Sequence, residues 1–502
     1  MNDTINPILQ AGFGAHQDGE LDIAAENYLH VLGIAPDHPD ALHLLGLVRL
    51  QKGDPAEAVT CIEKSLIADP ENPQALDHLG TAHQQLGQFA KAIAVLENAL
   101  SIAPDFADCW FNLGNAKESA GDLSGAVTAY REATALQPDF AAAHANMGNA
   151  LVECRAFNDA LEALDYAIAQ EPDLAPAWLS RGNALRGLGR AADAIAAYQK
   201  ALTHDPESSA VQCLIADCHH DLDQEDKAYE HFKAALLLNA DDHNALIGLA
   251  YCQMRQSDFT AAGQSLEDAL SRAPGDRRAL AYKTVLLNLS DRSLDARALS
   301  DFDHDIAMLS LKPPEGYATI TEFNAVLSAA LRTDHSLRRD PDNKTTRGGL
   351  QSGELSTQPT AVIRQFHECL RAALDDYIST LKIRPDRAEF DAAPMDYRLE
   401  SWSTILDAEG HQLAHIHPTA WMSGVYYVAL PPELSDDDAS HKGWLEFGAS
   451  GYGLPAHAGA IRLVPPHEGH MVLFPSYFLH RTVPFQSNTQ RISIAFDLIP
   501  ID

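Results

Sequence analysis

Residues 107–140 read ADCWFNLGNAKESAGDLSGAVTAYREATALQPDF, and four positions in them decide the fold: Gly114, Ala126 twelve residues on, Tyr130 four further, and Pro138. The same marks return along the first half of the chain. Pro36, Pro70, Pro104, Pro138, Pro172, Pro206 and Pro274 lie on one 34-residue grid, broken only by Ala240. Gly12, Gly46, Gly80, Gly114, Gly148 and Gly182 share the period and are continued by Ala216 and Ala250. A small residue there lets two helices approach closely. Ala24, Ala58, Ala92, Ala126, Ala160, Ala194, Ala228 and Ala262 follow, each with a large apolar partner four residues later: Tyr28, Ile62, Leu96, Tyr130, Leu164, Tyr198, Phe232 and Leu266. That i, i+4 spacing keeps both residues on one helix face. Each unit therefore reads as helix, short turn, helix, with the proline ending the second helix and a nearby Asp or Asn starting the next.

These units resemble the tetratricopeptide repeat, eight of them over roughly residues 3–275. The resemblance implies an all-α solenoid with a concave groove that takes an extended or helical peptide. The small and apolar grid positions are expected to pack. Recognition is expected at variable groove positions such as Asn112, Asn115, Asn146, Asn149, Arg181 and Asn183, of which Asn115, Asn149 and Asn183 stand where repeats of this family clamp peptide backbones. Cys213, Cys218, His219 and His220 are metal-binding residue types, but the two cysteines fall on different helix faces and no second pair opposes them, so no metal is expected there.

After Pro274 the run ALAYKTVLLNL, residues 279–289, is expected to cap the solenoid, and then the grid dissolves. We expect a repeat array over 1–285, a helical linker over 286–319 and a second domain over 320–502. Residues 332–360 are polar and rich in Gly, Asp, Thr and Ser, and read as a long irregular segment whose use as a lid stays open. Ile363, Phe366, Leu370, Leu374, Tyr377, Ile378 and Leu381 then share one face of an amphipathic helix. From about Tyr397 the period becomes two, with strands expected near 397–406, 421–430, 443–448, 460–465, 469–475, 479–485 and 490–499. That number of short strands fits a small antiparallel barrel or jelly roll preceded by helices.

Histidine carries the chemistry of this second domain, because neutral imidazole is the commonest ligand of a catalytic transition metal. His415 and His417 are one residue apart and point to the same side of an extended chain. His480 follows an apolar strand and the Pro475 turn, so a neighbouring strand can bring it beside that pair. Arg491 and Ser493 lie eleven and thirteen residues later, on one strand face. His411, His467 and His470 are expected at the surface or in loops.

The order H-x-H, distal His, R-x-S resembles the iron(II) and 2-oxoglutarate-dependent oxygenases, in particular the 2OG-Fe(II) oxygenase branch found behind tetratricopeptide repeats in bacterial proteins. FNAVLSAAL at 323–331, TTRGGLQSGEL at 345–355, HIHPTAWMSGVYYV at 415–428, LFPSYFLHRTVPF at 473–485 and RISIAFD at 491–497 carry that resemblance over roughly the last third of the chain. It implies a double-stranded β-helix (jelly roll) with flanking helices and one Fe(II) at its mouth, with 2-oxoglutarate and O₂ as co-substrates. By position, His415 and His480 would be the histidine ligands, and Arg491 with Ser493 would bind the distal carboxylate of 2-oxoglutarate through a planar, permanently charged fork. Tyr426 or Tyr427 would add a hydrogen bond, and strand alternation lets only one of them face inward; we expect Tyr427. The sequence departs from the family at His417, which stands where most of the superfamily has Asp or Glu. A three-histidine site is the reading we favour, with substitution by a carboxylate such as Glu446 or Asp497, or a His417 held behind the metal, left open. Zinc is also compatible with three histidines. A cupin is the nearest competitor, but the glutamate it needs after H-x-H is absent from PTAWM at 418–422, and it gives Arg491 and Ser493 no role.

Composition narrows the setting. Thirty-six Lys plus Arg against 70 Asp plus Glu leave a net charge of −34, which repels phosphate backbones and anionic lipid, so neither nucleic acid nor membrane is expected as a partner. The seven scattered cysteines do not form a secreted disulfide framework, and a reducing cytoplasm is expected. The whole reads as a 2-oxoglutarate-dependent dioxygenase, a hydroxylase, whose repeats recruit a protein or peptide, with a basic partner favoured by charge. The alternative is a non-catalytic repeat scaffold with a degenerate oxygenase-like or cupin-like barrel.

Overall fold

The computed structural model describes residues 2–341, 344–357, 359–381, 393–434, 439–449, 451, 453–454 and 459–501. These divide into two compact units, Met1–Glu207 and Ser208–Asp502.

In the first unit, helices run in antiparallel pairs from Asn2–Gln17 to Ala191–His204. The pair Ala107–Ser119 and Leu123–Leu136 shows why the grid residues recur. Ala126 and Tyr130 are fully buried, and a Cβ on Gly114 would lie 2.4 Å from the Tyr130 ring, so a side chain larger than hydrogen forces the helices apart. Asp122 caps its helix by accepting from the Gly125 N–H at 2.9 Å, and Asp54 does the same for Glu57. A second 34-residue series appears in the turns: Gly19, Gly53, Gly87, Gly121 and Gly189 have positive φ, and Arg155, Asp223, Ser257 and Asp291 occupy the same left-handed conformation where the series lacks glycine. The groove asparagines form a ladder within the array. Asn115 accepts from Tyr130 and from Asn146, Asn149 donates to Glu118 and accepts from Ser180, and Asn183 accepts from Tyr198.

The second unit begins inside the array. Its helices Ser209–Asp221, Glu225–Leu238, His243–Arg255, Phe259–Arg272 and Arg277–Leu289 continue the repeat pattern and precede the sheets. Periodicity ends at about 285, whereas compactness draws its line at Glu207. The strands are β1 (Ala307–Ser310), β2 (Arg338–Arg339), β3 (Thr346–Gln351), β4 (Tyr397–Gln412), β5 (Met422–Ala429), β6 (Leu445–Phe447), β7 (Arg462–Val464), β8 (His470–Pro475), β9 (His480–Thr482) and β10 (Arg491–Pro500). They form an antiparallel sheet in the order β1-β8-β5-β10-β4-β3-β2 and a smaller one in the order β7-β6-β9, a jelly-roll arrangement. Seven strands fall where alternation places them. Three correct the sequence reading: β1 lies in the stretch expected to be a helical linker, and β2 and β3 lie in the stretch expected to be irregular. Pairing makes them strands: β1 with β8, β3 with β4, and β2 with β3.

Helices Ile320–Arg332 and Ala361–Thr380 cover one face of the larger sheet, with Phe323, Leu327, Phe366 and Leu370 packed against Tyr426, Ile492, Ile494 and Phe496. The opposite face, carrying Val425, Tyr427, Val472 and Phe474, meets Leu445, Phe447 and Val464 of the small sheet. That core continues without a break into Leu280, Ala281 and Val285 of helix Arg277–Leu289, through Phe478 and Leu479. Burying two such side chains contributes on the order of 2 kcal/mol each. The Tyr477 hydroxyl donates to the Leu299 carbonyl at 2.6 Å, and the Arg277 guanidinium lies 5.8 Å from the Tyr477 ring. The expected solenoid cap is therefore also the wall on which the jelly roll is built.

Candidate metal centre

His415 and His417 sit in the extended connection between β4 and β5, and His480 opens β9. Two backbone bonds clamp the first to the last: the His415 N–H donates to the His480 carbonyl at 3.0 Å, and the His480 N–H returns to His415 at 3.1 Å. The His417 N–H donates to the Ser476 carbonyl at 3.0 Å. The backbone thus brings the three imidazoles together, with ring centroids 4.3 to 5.2 Å apart and one ligand atom from each within 4.8 Å of the others.

Hydrogen bonds choose the tautomers. Nδ1 of His415 donates to the Leu413 carbonyl at 2.7 Å, Nδ1 of His480 to the Phe478 carbonyl at 2.9 Å, and Nδ1 of His417 to Asp497 at 2.8 Å. With the proton held on each Nδ1, each Nε2 keeps its lone pair for a metal. Burial pushes the His415 pKa down to about 3, helped by the neighbouring His417, and carries His480 well below its ordinary value. Both rings are neutral at physiological pH, the form that ligates. Trp402 stacks on His417 at 5.6 Å, and Phe474 lies 4.6 Å from His480, which limits how far either ring can turn.

Neither carboxylate considered from sequence joins the cluster. Glu446 accepts from Arg481 at 2.9 Å across β6 and β9. Asp497 lies behind His417, hydrogen-bonded to its Nδ1 and, through the other oxygen, to the Ser423 hydroxyl at 2.6 Å. His411, His467 and His470 are partly buried and stand apart from the triad. Among the described residues the triad is the one group of three or more potential ligands, and Cys213, Cys218, His219 and His220 form none. Nδ1 of His219 and His220 instead meet Gln224 and Glu225.

Further along the same face of β10 lie Ser493 and Arg491. Arg491 is 1 % exposed, and its Nη1 donates to the Ser493 hydroxyl at 3.2 Å. Tyr427 faces it, with the guanidinium 5.0 Å from the ring, while Tyr426 points to the other face and donates to Asn324 at 2.8 Å. Among the described residues no carboxylate pairs with Arg491, and its Nε and the Tyr427 hydroxyl have no hydrogen-bond partner. A buried guanidinium without a counter-ion is costly, and a carboxylate ligand is the group that would relieve it. Sequence reasoning missed Trp402 and the position of Asp497, because both depend on which residue faces which across the sheet.

Residues 400–497, which contain the triad, Arg491 and Ser493, match the family model described as "Putative 2OG-Fe(II) oxygenase". The chain thus carries tetratricopeptide repeats and, C-terminal to them, a stretch that matches the model of that oxygenase family. The oxygenase-family match begins within β4, and residues 223–277 match the tetratricopeptide repeat model. A third model, described as the Cilia and flagella-associated protein 70 C-terminal domain, matches residues 15–246. Among solved structures, that of MamA is 28% identical, covering 32% of this chain and 95% of that one with a TM-score of 0.31. The C-terminal part of a TPR repeat-containing protein from Cytophaga hutchinsonii is 15% identical, covering 48% of this chain and 98% of that one with a TM-score of 0.41. The Pseudomonas aeruginosa pilF structure is 19% identical, covering 43% and 98% respectively with a TM-score of 0.40. The search of curated proteins returned no match.

Proposed function

We propose that the chain is an iron(II)- and 2-oxoglutarate-dependent dioxygenase that hydroxylates a protein or peptide recruited by its repeats. One observation carries the reading: three imidazoles, each with Nδ1 already hydrogen-bonded, bring ligand atoms within 4.8 Å of one another, and the same domain holds a buried guanidinium that no carboxylate among the described residues pairs with. His415, His417 and His480 would hold Fe(II). Arg491, Ser493 and Tyr427 would hold the distal carboxylate of 2-oxoglutarate, the guanidinium as an ionic fork and the two hydroxyls as donors. When bound, iron with 2-oxoglutarate and O₂ supplies an oxidative decarboxylation to succinate and CO₂ coupled to hydroxylation of a substrate. The protein's own part is to keep His415 and His480 neutral, to aim all three imidazoles, to neutralise a buried carboxylate, and to wall the centre with Trp402 and Phe474. Zinc would fit the same three nitrogens, and the Arg491 end favours the oxygenase reading because a zinc site has no need of it.

The repeats support a protein or peptide partner, and the net charge of −34 supports a basic one. No described helix is long and apolar enough to cross a membrane, and all seven cysteines are free thiols, in keeping with a reducing cytoplasm. Anaerobic calorimetry of the iron(II)-loaded protein with 2-oxoglutarate tests the reading. Saturable binding in the wild type and its loss in Arg491→Ala is the expected result; no metal uptake, or equal binding by both proteins, refutes it and favours a non-catalytic scaffold.

A further inference from the structure

The three imidazoles are not equivalent. Nδ1 of His415 and of His480 donate to backbone carbonyls, which are neutral, whereas Nδ1 of His417 donates to a carboxylate. That carboxylate, Asp497, is 6 % exposed, and its contacts among the described residues are His417 at 2.8 Å and the Ser423 hydroxyl at 2.6 Å, with no Lys or Arg beside it. The sheet fixes this placement. Asp497 on β10 stands opposite Ser423 on β5, so both side chains project from the same face, toward His417. The imidazole is held from the side as well, by Trp402 at 5.6 Å.

Asp497 is buried and held by a hydroxyl and an imidazole, with no Lys or Arg among its described contacts, and a buried carboxylate is stabilised by a nearby cation. With Nδ1 of His417 taken by Asp497, the nitrogen left to this ring is Nε2, and the ligand atoms of the three imidazoles lie within 4.8 Å of one another. A dication there would answer the carboxylate through the ring, since a hydrogen bond from Nδ1 to an anion raises the basicity of the opposite nitrogen and fixes its direction. His417 is also the residue that stands where the resembling oxygenases place an acidic ligand.

We infer that Asp497 is a positioning residue that returns to the metal centre, through His417, the negative charge its ligand set lacks: the carboxylate has moved one hydrogen bond outward, behind an imidazole. The inference rests on the metal-centre reading above. Its ligand atoms are three imidazole nitrogens, yet the centre has a carboxylate of its own in Asp497, and the binding of a dication no longer depends on the co-substrate alone for an anion.

Co(II), followed by its visible absorption in the full-length protein at neutral pH, is the probe. Asp497→Asn preserves shape and lets the amide oxygen accept from His417 while removing the charge; it is expected to weaken Co(II) binding by about 10- to 100-fold without changing the thermal unfolding of the metal-free protein. Adding His417→Asp to that variant puts a carboxylate into the ligand position and is expected to recover affinity, which a packing role for Asp497 does not predict. Ser423→Ala, which loosens the carboxylate without removing it, gives a smaller loss in the same direction and serves if D497N fails to fold. Wild-type-like Co(II) affinity in D497N, or no recovery in the double variant, overturns the inference while leaving the metal centre standing. No Co(II) uptake by the wild type overturns both.

Discussion

The helical array and the jelly roll use their residues in opposite ways. In the array each important position is repeated: Gly114 against Tyr130 is one of a series that includes Gly80 against Leu96 and Gly148 against Leu164, each a close approach of two helices. In the jelly roll each important position occurs once, and His415, Asp497 and Arg491 have no counterparts among the described residues. A repeated position tells how a chain packs, because one geometric need recurs. A unique polar position held against burial tells what it does, because packing alone would have replaced it with something apolar.

The sharpest break between the two regions should come from His480→Ala. Saturable Fe(II) binding, measured anaerobically by calorimetry, is expected to be lost altogether, while peptide capture by the repeats is unchanged. Nearly as large is the effect of cutting the chain within its second unit. Residues 208–502 are expected to fold cooperatively and bind 2-oxoglutarate with iron, whereas residues 320–502, stripped of Leu280, Ala281 and Val285, expose Phe478 and Leu479 and lose both properties; circular dichroism and the same calorimetry would show it.

The next effect is one of pH. His415 and His480 have pKa values depressed in the fold, so the unfolded chain takes up protons below about pH 6.5 that the native state refuses. Stability of the metal-free protein should therefore rise with pH across the window from about 3 to about 6.5 and level off above it, with each ring adding a slope of up to about 1.4 kcal/mol per pH unit. Urea unfolding of wild type and His415→Ala checks this, the variant showing the shallower slope. Repeat positions have smaller effects. Gly114→Val is expected to cost about 1–3 kcal/mol by driving a side chain into Tyr130, without altering iron binding. Arg155→Gly, which relieves a left-handed conformation where the neighbouring repeats have glycine, should stabilise the array by about 1 kcal/mol in the same urea assay.

The array was legible in the sequence nearly to the residue, since eight copies average out local exceptions. Seven strands were legible for a different reason: their alternation of apolar and polar residues matches a sheet buried on one or both faces. β3 was not, because TRGGLQ contains two glycines and only its pairing with β4 makes it a strand. β1 lies in a stretch that continues helical text, and it is drawn into the sheet by β8. At the candidate centre, residue types and order were enough to single out the triad and the R-x-S pair. The place of Asp497 was not readable, because only register decides whether a carboxylate eighty residues from His417 reaches its metal side or its back.

The unbroken core between helix Arg277–Leu289 and Tyr477, Phe478 and Leu479 bears on how such a protein can diversify. Those three residues immediately precede His480, so helix Arg277–Leu289 is part of what holds a histidine of the triad. A lineage that acquires new partners by shuffling repeats can gain, lose or exchange units upstream of Glu207 and leave that scaffold intact. Recombination at the apparent end of the array, near residue 285, would separate the histidine from its support. The inheritable module is longer than the domain its motifs outline, and its two final repeats should change more slowly than the others.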